Sequence, residues 1–499
     1  MLHLRRLIAR FAAAPALLAW LVVGSHVAHA QLPDPTTVPA KQRIDAINKL
    51  FASREGAAAD KHYQLAVKRY ITLLNPAALG TPDPQEQQAE FDAIGWLSDN
   101  ETTLLMRFDW PPEYVPYVDR WLRTNADALA ALRTATDAPR WYRPFAAESG
   151  RLAEIELVRD ASELRNLVKL RALAAARLAH DERWADAARE AASNLRLAAH
   201  ADGRPLVLWE AFATSFEDIA FQQLAALLPH LDAEGLKRVR QSSRDALAVP
   251  RPSDDQIDFA ERLFTWDTIE RYHEWAVDES RHPSLREELT AYFSMYDMIK
   301  NSGIDPPGMK IERSSFASAD DFKAALRKTT PKASWKVAIE LEDAYREWAA
   351  SPLPEAIPRL AGFRDRSREI GRKDPILQLF GEISPFGPGN FRLKRAMRDA
   401  RRAGFEVLLA LHLFNTEKKA WPARLEELTP ALLPRVPADP YSGKPLVYRR
   451  SSDGTDFVLY SVGEDQKDDG GQPAQDSADP AATTSGDFVF WPLEVPDFE

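Results

Sequence analysis

Residues 164–200 read LRNLVKLRALAAARLAHDERWADAAREAASNLRLAAH, and their spacing decides the class of fold. Leu164, Leu167, Val168, Ala172, Ala175 and Leu178 recur every three or four residues and form one apolar stripe of a helix. Trp184, Ala187, Ala188, Ala191, Leu195 and Ala198 form a second stripe, with Asp181 as its expected cap. A link of two or three residues folds the two helices into an antiparallel pair. Further along, Pro205 suits a first helical turn, and Leu208, Phe212, Phe216 and Ile219 begin a third stripe that runs on through Leu224 and Leu228. Leu231 to Ala248 makes a fourth helix. The same periodicity predicts helices over about 41–74, 86–97, 113–133, 254–277, 284–299, 319–327 and 333–349. Breaks are expected at Pro250 and Pro252, at Asp305-Pro306-Pro307-Gly308, and at Pro352, Pro354 and Pro358. The expected architecture is mainly α: an irregular array of helical hairpins over 31–390.

Composition narrows the class. The chain has 499 residues, 45% of them hydrophobic, and 13 Trp, enough to bury more than one core and to exclude wholesale disorder. It has no Cys, which excludes disulfides, zinc-thiolate sites, iron–sulfur clusters, Cys nucleophiles and a lipoprotein anchor. With 64 Lys plus Arg against 74 Asp plus Glu the net charge is −10, so no nucleic-acid partner is expected. Residues 1–30 carry Arg5, Arg6 and Arg10, then an apolar run from Phe11 to Val23, then Ala28-His29-Ala30. That order predicts a secretory signal peptide cut after Ala30. The apolar run is short of the roughly 20 residues that span a bilayer. The mature chain is therefore expected to be exported, periplasmic or secreted, with no transmembrane segment.

The stretch LAHDERWADAAREAASNLRLA, residues 178–198, resembles the second half of a tetratricopeptide hairpin, where small alanines let two helices approach closely. No period of 34 residues recurs elsewhere in the chain.

After about residue 390 the pattern changes. Met397, Ala400, Gly404, Val407, Leu411 and Phe414 share one helix face, and Trp421-Pro422 stops the helix near Lys418. Leu425 to Leu433 reads as a short second helix. Pro434, Pro437 and Pro440 lead to a turn at Tyr441-Ser442-Gly443. Leu446 to Arg449, Phe457 to Val462 and Phe488 to Trp491 read as strands, with a hairpin signal at Asp453-Gly454 between the first two. A small α+β domain over 391–499, a helix lying on an antiparallel sheet, is the outcome.

These motifs, in this order, resemble the globular domain of the major pseudopilins of type II secretion systems. The residues that carry the resemblance are Trp421-Pro422, Asp439-Pro440-Tyr441-Ser442-Gly443-Lys444-Pro445, Tyr448-Arg449, Tyr460-Ser461-Val462-Gly463-Glu464-Asp465, Gly470-Gly471, and Asp487 with Trp491 four residues on. In that family the loop after the last long strand binds calcium through aspartates and backbone carbonyls. The resemblance thus implies calcium as a cofactor, with Asp465 and Asp487 as ligands, Asp468 and Asp469 as additions, and Val462 as a backbone donor. Independently, a flexible loop rich in Asp and Gly is what calcium requires of its six to eight hard oxygens. This chain departs from the family at Gln466, where Gly is usual, and in the insert QPAQDSADPAATTS before Asp487. It also lacks the apolar N-terminal helix through which pseudopilins polymerise, so the domain reads as a borrowed module.

The helical part holds other candidate constellations. Glu148-Ser149 resembles the Glu-Ser pair of lytic transglycosylases, without the Gly-Leu-Met-Gln segment that completes that site. Glu270 with His273 and Glu279 with His282 have the Glu-x-x-His spacing of diiron bundles, yet both lie on one segment and His282 precedes Pro283. Glu210 and Glu217 share a helix face seven residues apart, either as a catalytic carboxylate pair or as a solvated face. No H-E-x-x-H, G-x-S-x-G or G-x-x-x-x-G-K-[ST] string occurs. The expectation is a non-enzymatic envelope or secreted protein that binds or scaffolds a protein partner. Its rivals are a periplasmic enzyme acting on glycan or peptide through carboxylates, and an accessory component of a secretion system.

Overall fold

The computed structural model describes residues 34–51, 57–72, 93, 95–97, 99–155, 157–302, 315–383, 388–474 and 485–493. The expected signal peptide, the break at 305–308 and most of the expected helix at 86–97 lie outside the described residues. The chain is mainly helical, with one small sheet near its C-terminus.

Five helices open the described chain: α1 (Ala40–Asn48), α2 (Ala57–Arg69), α3 (Glu101–Met106), α4 (Val115–Thr124) and α5 (Ala126–Asp137). The single helix expected over 113–133 is split at Asn125 because that side chain binds elsewhere. Its Nδ2 donates to the Ile71 and Trp121 carbonyls, and its Oδ1 accepts from the Ile71 N–H. A fully buried Asn satisfied by another segment's backbone favours the break over a continuous helix.

Next come α6 (Leu157–His180), α7 (Trp184–Asp202), α8 (Val207–Leu227) and α9 (Ala233–Leu247), the hairpins legible in the opening stretch. The turn between α6 and α7 is residues 181–183. Asp181 does not cap α7: it pairs with Arg177, and Arg183 stands at the cap position. Helix α7 buries Asn194, Leu197, His200 and Ala201 besides the expected stripe, because α6, α8 and α9 all pack on it.

Helix α10 (Asp254–Val277) is the spine. A capping box fixes its start, with Ser253 Oγ accepting from Gln256 N and Gln256 Oε1 accepting from Ser253 N. It is buried on every side: Phe259, Leu263 and Phe264 face a first core with α2, α5 and α6, while Trp266, Ile269 and Trp275 face a second. The second core is built from α11 (Pro283–Ser302), α12 (Ala319–Leu326), α13 (Pro331–Ala349), α14 (Leu353–Ala356), α15 (Leu360–Gly371) and α16 (Pro375–Ile383). The proline-rich break around 352–358 thus contains a short helix, and α15 and α16 follow it.

Helix α17 (Pro388–Lys418) joins the array to the sheet. Its first half contributes Leu393, Ala396 and Ala400 to the second core; its second half contributes Phe405 to Leu413 to a third core shared with α7, α8, α9 and the sheet. The sheet runs β1 (Val447–Arg450), β2 (Phe457–Ser461), β3 (Phe488–Trp491), antiparallel throughout. Gly404 lies where α17 meets β3, and a Cβ there would stand 2.5 Å from the Phe490 ring. The expected helix at 425–433 is a shorter 3₁₀ turn, Leu425–Leu428.

Candidate functional site

Three places gather the residues singled out in the sequence: the seam between α8 and α17, the end of α10, and the loop after β2.

At the seam, Glu210 and Glu217 are buried. Arg395 grips Glu210 with two hydrogen bonds of 2.7 and 2.6 Å. Arg398 grips Glu217 at 2.9 and 2.6 Å, and Arg402 holds the same carboxylate at 3.0 and 2.6 Å. Arg398 also donates to Asp202 at the end of α7, 3.0 Å away, and Arg401 pairs with Asp218. Burial pushes the Glu217 carboxyl up, but Arg398 and Arg402 outweigh it and hold it below its ordinary value. Burial likewise opposes the charge on Arg398, and Glu217 and Asp202 hold its proton well above the ordinary value. These carboxylates are neither a solvated face nor a free acid–base pair. They complete a ladder in which acids spaced by seven on one helix meet arginines at 395, 398 and 402 on another. That arginine spacing was the available signal, and it is legible only once the two helices are known to be neighbours. Beside the ladder, Leu195, Ala199, Asp202, Glu217, Leu247, Arg251 and Arg402 line a cavity of about 70 Å³.

At the end of α10 the two Glu-x-x-His pairs do not form. His273 Nε2 meets Ser334 Oγ at 2.9 Å, and that hydroxyl donates to Asp374 at 2.5 Å. The serine lies between the imidazole and the carboxylate, an order unlike the acid–imidazole–hydroxyl chain of a nucleophilic triad. Asp374 also caps α16 through the Ile376 and Leu377 amides. Glu270 pairs with Arg43 at 2.7 Å. His282 Nε2 meets Glu274 rather than Glu279, at 2.9 Å, and Glu279 pairs with Arg286. Glu148 is exposed, outside any apolar cleft.

The loop after β2 is organised by two aspartates. Asp439, fully buried, accepts from Tyr441 N, Ser442 Oγ, Ser461 Oγ and Val462 N, and so ties the Asp-Pro-Tyr-Ser-Gly turn to the end of β2. Tyr441 anchors the turn on α17 by donating to the Leu393 carbonyl at 2.9 Å. Asp487, 1% exposed, accepts from Gly471 N at 2.7 Å and Asp469 N at 3.4 Å. Burial holds its carboxyl above the ordinary value, the two amides oppose this, and Asp468 and Asp469 add to it. Asp468 is committed elsewhere, accepting from Tyr460 Oη at 2.6 Å and Arg449 at 2.6 Å. Asp469 is exposed. Asp465 accepts from Lys467 N through Oδ1, while its buried Oδ2 has no hydrogen-bond partner. Val462, three residues earlier, is buried. Gly463 has φ +69° and its Cβ position is 2.5 Å from the Gly486 carbonyl, so only glycine allows the loop's two ends to close.

No three His, Asp or Glu side chains converge on a metal position among the described residues. Of the residues the resemblance implies, Asp465 leaves one buried carboxylate oxygen without a hydrogen-bond partner and Asp487 accepts from two backbone amides, both hard-oxygen donors of the kind calcium takes. No protein-family model, curated protein or solved structure matches the chain. No helix among the described residues is long and apolar enough to cross a membrane.

Proposed function

We propose that this is an exported, non-enzymatic binding or scaffold protein of the cell envelope, in which the helical array presents a surface to a protein partner and a pseudopilin-like module is fixed to it. One observation carries the reading: the long helix α17 that leads into the sheet is sunk into the array through the ladder of Arg395, Arg398, Arg401 and Arg402. A helix spent in that way supports a fixture rather than a filament subunit. The carboxylates that an enzyme reading would use are spent in the same ladder.

Calcium belongs to the proposal as a structural ion. Asp465 and Asp487 would hold it with the Val462 carbonyl, while Asp468 stays with Tyr460 and Arg449. The ion would offset the negative charge that the loop's amides leave uncompensated.

Glu210→Gln and Glu217→Gln, assayed on peptidoglycan and on peptides beside unfolding, separate scaffold from enzyme. The scaffold reading expects lower stability and no turnover in either the parent or the variants. A turnover in the parent that Glu217→Gln abolishes without loss of stability contradicts it.

A further inference from the structure

We propose that Gln466 is a latch through which the acidic loop locks the α+β module onto the corner of the array at α14. The need for it is written in the array itself. Pro354 and Pro358 are four residues apart, and a proline has no N–H, so the Pro354 carbonyl lacks the donor that the next turn would supply. Gln466 supplies it: Nε2 donates to Pro354 O at 2.8 Å and to Tyr441 O at 2.8 Å. One amide nitrogen thereby satisfies an orphaned carbonyl of the array and a carbonyl of the module's turn.

The latch costs backbone strain. Gln466 has φ +60°, a left-handed conformation that a residue with a Cβ seldom adopts. Glycine, usual here in the resembled pattern, would sit without strain but has no side chain to reach Pro354. The same corner is held from two other sides, by Arg392 donating to Ser351 O at 2.6 Å and by Trp348 Nε1 donating to Ala356 O at 2.9 Å. The far end of the loop is held by Asp487 on the amides of Asp469 and Gly471. Residues 466–471 are therefore pinned at one end by Asp487 with the catch at Gln466, and opening them is expected to loosen α14. This inference does not depend on whether the loop holds a cation.

Hydrogen exchange on the full mature chain tests it, followed in peptides covering 353–357 and 469–471. In Gln466→Gly the backbone strain is relieved but both donors are lost; amides at 353–357 are expected to exchange at least tenfold faster while those of β2 keep their protection. In Asp487→Asn the pin is weakened, and exchange is expected to rise in both peptides together. Unchanged protection at 353–357 in Gln466→Gly overturns the latch. So does an Asp487→Asn protein whose loop exchanges faster while 353–357 does not.

Discussion

Glu217 and Asp487 are both buried carboxylates in contact with α17 or the sheet beside it, yet they titrate in opposite directions. Glu217 meets two guanidiniums in four hydrogen bonds; Asp487 meets two backbone amides. Partial charges on amides offset less of a buried anion than full charges on arginine. The seam is thus electrically closed, and its acids serve architecture. At the loop Asp487 is held by amide dipoles instead.

The contrast is most sharply tested at the seam. Glu217→Ala leaves Arg398, 2% exposed, without its main counter-charge, and should cost about 3–5 kcal/mol in urea unfolding. A loss of under about 1 kcal/mol would mean that the ladder is not what joins the two parts.

Acid should weaken both parts through buried imidazoles. Burial lowers His200 in the array to about 3 and His412 under the sheet to about 4, from the ordinary value of 6.5. Both rings stay neutral in the folded state while the unfolded chain takes up protons. Their contribution is complete above pH 6.5 and falls away as pH drops toward 4, by on the order of 2–3 kcal/mol for His412. Glu261 runs the other way: burial raises it to about 8, so its contribution is lost as pH rises through 8. His412→Leu should flatten the acid limb; an unaltered limb places the titration elsewhere.

Gly404→Leu should drive a side chain into Phe490 and cost about 1–3 kcal/mol, read as separation of sheet from helix by near-ultraviolet circular dichroism. Calcium at a hundred times its dissociation constant should stabilise by about 2.7 kcal/mol if the loop holds it, and Asp465→Ala should erase that gain. No chelator-sensitive shift in Tm would leave the loop held by its amides alone.

The hairpins of α6 to α9 and the three strands were legible because each carries an uninterrupted period and a turn signal, as at Asp453-Gly454. Helices α15 and α16 were missed because Pro352, Pro354 and Pro358 read as a plain break, and the split at Asn125 because its cause is the distant Ile71 backbone. Asp465 and Asp487 come from the pseudopilin resemblance and belong to the proposal, whereas the fate of Glu210 and Glu217 depends on which helix lies opposite, and no local pattern carries that. Asp439 was visible only as a motif letter; its four accepted hydrogen bonds give the physical reason why Asp-Pro-Tyr-Ser-Gly and Tyr-Ser-Val-Gly occur together.

Array and sheet are joined through the seam of α8 and α17. Urea unfolding of the full chain, followed at once by far-ultraviolet circular dichroism for the helices and by the fluorescence of a single tryptophan retained at Trp421, measures the joint directly. Coincident transitions that Glu217→Ala shifts together are expected. Two separate transitions, with the module unfolding at its own midpoint and indifferent to Glu217, would contradict it.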